Sequence, residues 1–209
     1  MKKKFAFPKN ATPLNDCSGL IPNWIHTLND LNRAEANNIL LAQRKYLRGK
    51  IKHPKIWFHP KELKNIHKAM FGSVWSWAGI YRKSVTSIGI KPSLIAYNLA
   101  KFCLEVSSWF EEDIELSIIE KTARVHHQLV FIHPFENGNG RFSRFIADRF
   151  LLSFQGAYPI WPRYLNQDSE DRKEYIRALQ EADQGVYTLL INFMKKHGAC
   201  EPNTKSIVG

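Results

Sequence analysis

Ile132-His133-Pro134-Phe135-Glu136-Asn137-Gly138-Asn139-Gly140-Arg141-Phe142-Ser143-Arg144 decides how the rest of this chain is read. It reads as the end of an apolar helix, a tight polar loop and the start of a second helix. Pro134 stops the incoming helix, because proline has no N–H and disfavours helical geometry in the residue before it. Gly138, Asn139 and Gly140 tolerate positive φ at little cost. A loop of that kind turns backbone N–H groups inward, and such a concavity binds anions. The second helix is expected to begin near Gly140, so its free N–H groups and its dipole point at the same place. Arg141 and Arg144 lie three apart, hence on one face, and arginine forks suit phosphate oxygens. His133 stands at the loop's other end, where a neutral imidazole could take a proton from an incoming hydroxyl.

Moving outward, the spacing predicts helices on both sides of the loop. Val125, Leu129 and Ile132 share a side of the segment 117–132, and Phe142, Ile146 and Phe150 share a side of 140–154. These two opposed helices would form the domain's centre. Ile95, Leu99, Phe102, Cys103, Val106, Trp109 and Phe110 predict a strongly amphipathic helix over 93–112. Further helices are expected over 29–48, capped by Asn29 or Asp30 and closed by Gly49, and from His59-Pro60 to Met70. Two more follow, one to Asp183 capped by Asp168 or Ser169, and one over 186–197. Trp75 and Trp77 read as core. The single strand signal is Val85-Thr86-Ser87-Ile88-Gly89-Ile90, where Thr86, Ile88 and Ile90 alternate. The fold class is therefore all-α, mainly helical, with one small β-hairpin.

The 209 residues suit one domain with a proper core. It is placed at 13–198, between a flexible basic tail, 1–12, and a C-terminal tail, 199–209. The formal charge of +11 suggests an anionic nucleotide, an acidic protein or nucleic acid. No helix-turn-helix or zinc module is evident, so nucleic acid ranks last among these partners. Cys17, Cys103 and Cys200 are scattered, which argues against a disulfide framework and fits a reducing cytosol. His126 and His127 lack zinc-site spacing. No stretch has the length of a signal peptide's apolar core or of a membrane span, so no membrane partner is expected.

The run from His133-Pro134-Phe135 through Gly138-Asn139-Gly140-Arg141 to Arg144 resembles the signature of the Fic (filamentation induced by cAMP) family, in the Fic/Doc superfamily. Trp77-Ala78-Gly79 with Arg82, and Ala182-Asp183-Gln184-Gly185-Val186-Tyr187, resemble weaker marks of the same domain. Gly19-Leu20-Ile21-Pro22 resembles a bacterial subgroup called mobile mystery protein B. The likeness implies a Fic fold and a protein adenylyltransferase, a nucleotidyltransferase moving AMP from ATP to a Ser, Thr or Tyr hydroxyl of a target protein. It implies His133 as the base, and Phe135 packed inward to hold the loop. Asn137, Gly138, Asn139, Gly140, Arg141 and Arg144 would bind the nucleotide. Ile88, Gly89 and Ile90 would form a flap over it, onto which an extended piece of the target docks by strand addition near residues 85–90. Tyr175, Ile176 and Asp183 match positions that border the adenine. The subgroup implies a small helix-turn-helix partner in a toxin–antitoxin-like pair.

Two positions depart from the family pattern. The residue before Gly-Asn-Gly is usually Asp or Glu, which holds the bridging magnesium, and here it is Asn137. A neutral amide is a weaker ligand for a hard dication than a carboxylate. Weakened magnesium binding is expected, with slower transfer or altered chemistry. Glu136, one residue away in a tight loop, should point elsewhere. Relatives also carry an inhibitory helix whose Glu pairs with the last motif arginine. The nearest stretch here is Leu31-Asn32-Arg33-Ala34-Glu35-Ala36, which fails that pattern at both ends. Glu35 is thus either an inhibitory residue or a solvated helix residue. The readings that compete with an adenylyltransferase are a catalytically silent nucleotide- or protein-binding module and related phosphate chemistry such as AMP removal.

Overall fold

The helical periodicities in the sequence become eight α-helices in the computed structural model, which describes residues 19–111, 116–162, 165 and 168–201. They are α1 (Leu28–Tyr46), α2 (Pro54–Trp57), α3 (Pro60–Phe71), α4 (Ile95–Ser108), α5 (Ile118–Ile132), α6 (Asn139–Leu152), α7 (Glu170–Ala182) and α8 (Thr188–Lys196). Most starts have a visible cause. Thr27, not Asn29 or Asp30, caps α1: its hydroxyl accepts from the Asp30 N–H while Asp30 accepts from the Thr27 N–H, a full capping box. His59, Ser117 and Ser169 cap α3, α5 and α7 through their side chains. The short α2 has Pro54 at its first turn, a start the apolar pattern does not reveal.

Helix α5 packs on α6 more extensively than any other two helices. Leu129, Ile132, Phe142, Ile146 and Phe150 are fully buried in the main apolar cluster, which α1, α3 and α4 complete. Each such side chain contributes roughly 1.5–3 kcal/mol by leaving water. A second cluster joins α7 and α8 to the other side of α5 and α6 through Ile119, Leu151, Tyr175, Leu190 and Phe193. The α5–α6 hairpin therefore lies between two cores, and its loop is held from both sides. Trp75 belongs to the main cluster and Trp77 is packed against it, as expected.

Near the start, Gly19 and Ile21 pair with the backbone of Ser76 and Val74. A Cβ at Gly19 would lie 2.5 Å from the Trp77 indole, so this close approach needs glycine. The basic tail 1–12 lies outside the described residues, as do 202–209. Cys200 bridges Ala157, tying the end of the described chain to the domain.

The small β-hairpin expected at 85–90 is not present: the segment is an irregular loop. The alternation of Thr86, Ile88 and Ile90 has no neighbouring strand to serve. Thr86 Oγ1 donates to the Ile88 carbonyl at 2.5 Å, and Arg82 takes the carbonyls of Ser84 and Ile90. Gly89, at φ 108, breaks the extended run.

Candidate active site

His133 ends α5 in the left-handed region, at φ 51 and ψ 62, a conformation that non-glycine residues rarely adopt. Its side chain is buried. Nδ1 lies 3.3 Å from the Val130 carbonyl, which can only accept, so Nδ1 carries the proton and Nε2 keeps its lone pair. Burial holds the imidazole's pKa down to about 4, helped by the charge of Arg82 and opposed by the Val130 bond. At neutral pH the ring is an uncharged acceptor.

The loop that follows is pinned by its own residues. The Phe135 N–H donates to Asn139 Oδ1 at 2.9 Å, and Asn139 Nδ2 donates back to the Phe135 carbonyl at 2.7 Å. Phe135 is fully buried and stacks on His67, with ring centroids 3.7 Å apart. His67 accepts from the Gly79 N–H at Nδ1 (3.0 Å), which leaves Nε2 protonated to donate to the Asn137 carbonyl (3.1 Å). Complete burial lowers its pKa to about 3, keeping the ring neutral. His67 supports the loop from α3, a role sequence reasoning missed; its place on the apolar side of its helix was the only signal.

Helix α6 begins at Asn139, one residue earlier than expected, with Gly138 as N-cap at φ 78 and no side-chain cap. A Cβ on Gly138 would lie 2.6 Å from the Phe71 ring, so only glycine fits. A Cβ on Gly140 would meet nothing closer than 3.6 Å, from Arg144 Nη1. The N–H groups of the first turn have no partner within the helix and are aligned with its positive end, an arrangement suited to phosphate.

The two arginines diverge rather than act side by side. Arg141 lies over the Phe71 ring at 4.8 Å, and its Nη1 donates to Glu35 Oε2 at 2.5 Å. Glu35 is buried on α1, not solvated, and its Oε1 accepts from Trp75 Nε1 at 2.7 Å. Its partner is thus the first motif arginine, whereas the family pattern implied the last. Arg144 turns to the other core, 6.0 Å over the Trp161 ring and beside the Tyr175 hydroxyl. Behind it, burial raises the Asp148 carboxyl to about 8 against the opposing effects of Trp161 and Arg144.

Tyr175 is buried, and its hydroxyl lies 2.9 Å from His126 Nε2. Ile176 packs against the same cluster, and the exposed Asp183 carboxylate accepts from His127 Nε2 at 2.8 Å. In the loop 84–90, Ile88 is exposed and Ile90 half-buried, while Gly89 backs directly onto His133. The structure therefore sets Gly89 against His133 at the end of α5, and Glu35 against Arg141 in the first turn of α6. Tyr175, Ile176 and Asp183 stand on the α7 side, with Arg144 between the two groups.

A protein-held magnesium does not fit this donor set. Asn137 Oδ1 is turned back to accept from the Gly138 N–H at 2.6 Å. Both Glu136 oxygens are taken, by the Lys83 N–H (3.1 Å) and the Ser84 hydroxyl (2.6 Å). Glu136 does point elsewhere, as the tight loop requires. Among the described residues no group of three or more His, Cys, Asp or Glu side chains could hold a metal.

The Fic/DOC family model matches residues 57–151, which span the loop and both of its helices. Over that segment the chain is similar to a Fic/DOC domain. Protein adenylyltransferase fic-1 of Caenorhabditis elegans is 32% identical over 97 residues, covering 44% of this chain and 18% of that protein. Protein adenylyltransferase Fic of Nematostella vectensis is 30% identical over 134 residues, 63% of this chain and 30% of that protein. The chain thus spans less than a third of these curated relatives. BepC of Bartonella tribocorum, solved with bound AMPPNP, superposes with a TM-score of 0.65 at 16% identity, covering 94% of this chain and 97% of that one. The fold shared with that structure thus extends well beyond the matched segment. Among the described residues no helix is long and apolar enough to cross a membrane.

Proposed function

We propose that this chain is a Fic-type protein adenylyltransferase that moves AMP from ATP to a hydroxyl of a target protein. The observation that carries this reading is the tautomer of His133. A neutral imidazole with Nδ1–H fixed on Val130 presents Nε2 as a base, six residues from a helix N-terminus without a side-chain cap. Nε2 takes the proton of the target hydroxyl. The oxygen attacks the α-phosphorus, the bond to the β-phosphate bridging oxygen breaks, and pyrophosphate leaves. The first-turn N–H groups of α6 hold phosphate oxygens, and Arg141 and Arg144 offset the charge that develops on them. Positioning and charge stabilisation supply most of the catalysis. The exposed loop 84–90 is the docking edge for the target. The names of the curated relatives and the AMPPNP bound by BepC support the same choice of nucleotide.

In the state described, Arg141 is bound to Glu35, so the phosphate site rests closed and the pair must part before ATP is gripped. A second reading, a nucleotide-binding module without transfer, is favoured by the engagement of Asn137 Oδ1 and both Glu136 oxygens. Incubation of wild type and His133→Ala with α-phosphate-labelled ATP and cell lysate separates the two. Label on protein with wild type alone supports the enzyme. Nucleotide binding with no transfer by either supports the module.

A further inference from the structure

Arg82 follows the Trp77-Ala78-Gly79 run and takes no part in the proposed transfer. It is nonetheless the most heavily bonded side chain near His133. Its guanidinium is buried. Nε donates to the His133 carbonyl at 2.6 Å, Nη1 to the Ser84 carbonyl at 2.8 Å, and Nη2 to the Ile90 carbonyl at 2.5 Å. A longer contact, 3.5 Å, joins Nη2 to the Ile132 carbonyl. The Arg82 backbone N–H donates to the Pro134 carbonyl at 3.0 Å. One residue thus takes the carbonyls of His133 and Pro134 just beyond the C-terminus of α5, reaches that of Ile132, and also grips both ends of the loop 84–90.

The two sets of bonds meet at one place. A Cβ on Gly89 would lie 2.5 Å from the His133 Cβ and 2.7 Å from Arg82 Nη2, so the loop lies flat on the histidine. His133 is in the left-handed region, which persists only where its surroundings over-determine it. The bond from Arg82 Nε to the His133 carbonyl supplies that constraint directly. Glu136 lies near enough to stabilise the guanidinium's charge while anchoring Lys83 and Ser84.

We propose that Arg82 is a positioning residue that locks the loop 84–90 and His133 into one unit, so that a protein segment docking on the loop sets the imidazole's orientation. This rests on His133 as the base, and the test separates the two claims. Arg82→Lys keeps the charge and loses the fork, because one ammonium cannot reach three divergent carbonyls. Hydrogen exchange of the loop amides should be about tenfold faster, and the His133 ring resonances should shift in the NMR spectrum. Nucleotide Kd should stay within about threefold of wild type while kcat for transfer falls about 100-fold, as expected for a misplaced reacting group. Faster loop exchange with unchanged ring resonances overturns the proposal, as does an unchanged loop with a displaced ring. If wild type shows no transfer, the exchange and ring signals still decide the coupling, and only the assignment of His133 as base fails. If Arg82→Lys does not fold, Arg82→Gln, which also loses the three-way fork, is read by the same two signals. Unmoved ring resonances in that variant overturn the proposal.

Discussion

Arg141 on α6 and Glu35 on α1, 106 residues apart in sequence, are joined by a 2.5 Å hydrogen bond whose carboxylate is also held by Trp75. The arginine is one-third exposed, but the carboxylate is buried. On the proposed function, a triphosphate entering the loop must compete with a charge already in place. Glu35→Gln keeps an oxygen for the Trp75 N–H and removes the competing charge. ATP affinity measured by calorimetry should rise about tenfold, the scale of a typical coupling energy. Transfer to a target should rise with it. Equal affinity in both proteins would mean that the pair does not gate the site.

Asn137, where the Fic resemblance implies a metal-binding acid, accepts from the Gly138 N–H at Oδ1. Asn137→Asp can retain that bond with one oxygen and offer the other to a dication. The magnesium concentration for half-maximal transfer should fall about tenfold, since a carboxylate is the stronger ligand for a hard cation. A superimposable magnesium titration would refute this account of the departure.

Loss of His67 should separate support of the loop from catalysis. His67→Phe preserves a ring to stack on Phe135 but leaves the Gly79 N–H and the Asn137 carbonyl without their partners. Stability in urea should drop by roughly 2–4 kcal/mol. Nucleotide binding should weaken, because the loop carbonyl that His67 holds is released. A midpoint unchanged from wild type would show that these bonds are replaced without cost.

Four buried groups set the dependence of stability on pH. His67 and His126 are held down to about 3 and His133 to about 4, against 6.5 when unfolded, all by burial first. Between pH 4 and 6.5 the unfolded chain binds the extra protons, so stability falls as pH drops through that window. Asp148 has the opposite sign: burial raises it from 3.8 to about 8, so the folded state holds a proton that the unfolded state has lost. Above 6.5 the histidine contribution levels off, while the Asp148 contribution still falls with rising pH. These groups place the optimum near pH 7. Asp148→Asn keeps an acceptor for the Trp161 N–H and should flatten the alkaline limb of the urea midpoint from about 7 to 8. A limb that persists in the variant would assign it to other groups.

Much of the fold was legible because helices bury stripes with a short period. The stripes of α3, α4, α5 and α6 gave their positions to within a few residues, and the site loop was readable from Pro134, the glycines and the arginines. What stayed hidden depends on partners distant in sequence. Nothing local to Glu35 announces Trp75 or Arg141, and nothing local to His67 announces Asn137, 70 residues on. The strand signal at 85–90 misled for the same reason. Alternation describes a surface that would suit a neighbouring strand, but whether one is there is decided by where the chain's other carbonyl partners lie. Here Arg82 took them. At α1, the reciprocal bonds of Thr27 and Asp30 moved the start ahead of the apolar pattern.

The paired hydrogen bonds between Asn139 and the backbone of Phe135 have an effect on timing. They pin the bend without any nucleotide, so on the proposed function binding should need little ordering of that segment. Entry of ATP should then be governed by how often Arg141 unlatches from Glu35, a single side-chain event, rather than by any rearrangement of the main chain. On the proposed function such a site would be a rigid mould with a catch, and its association rate for ATP should report on the catch.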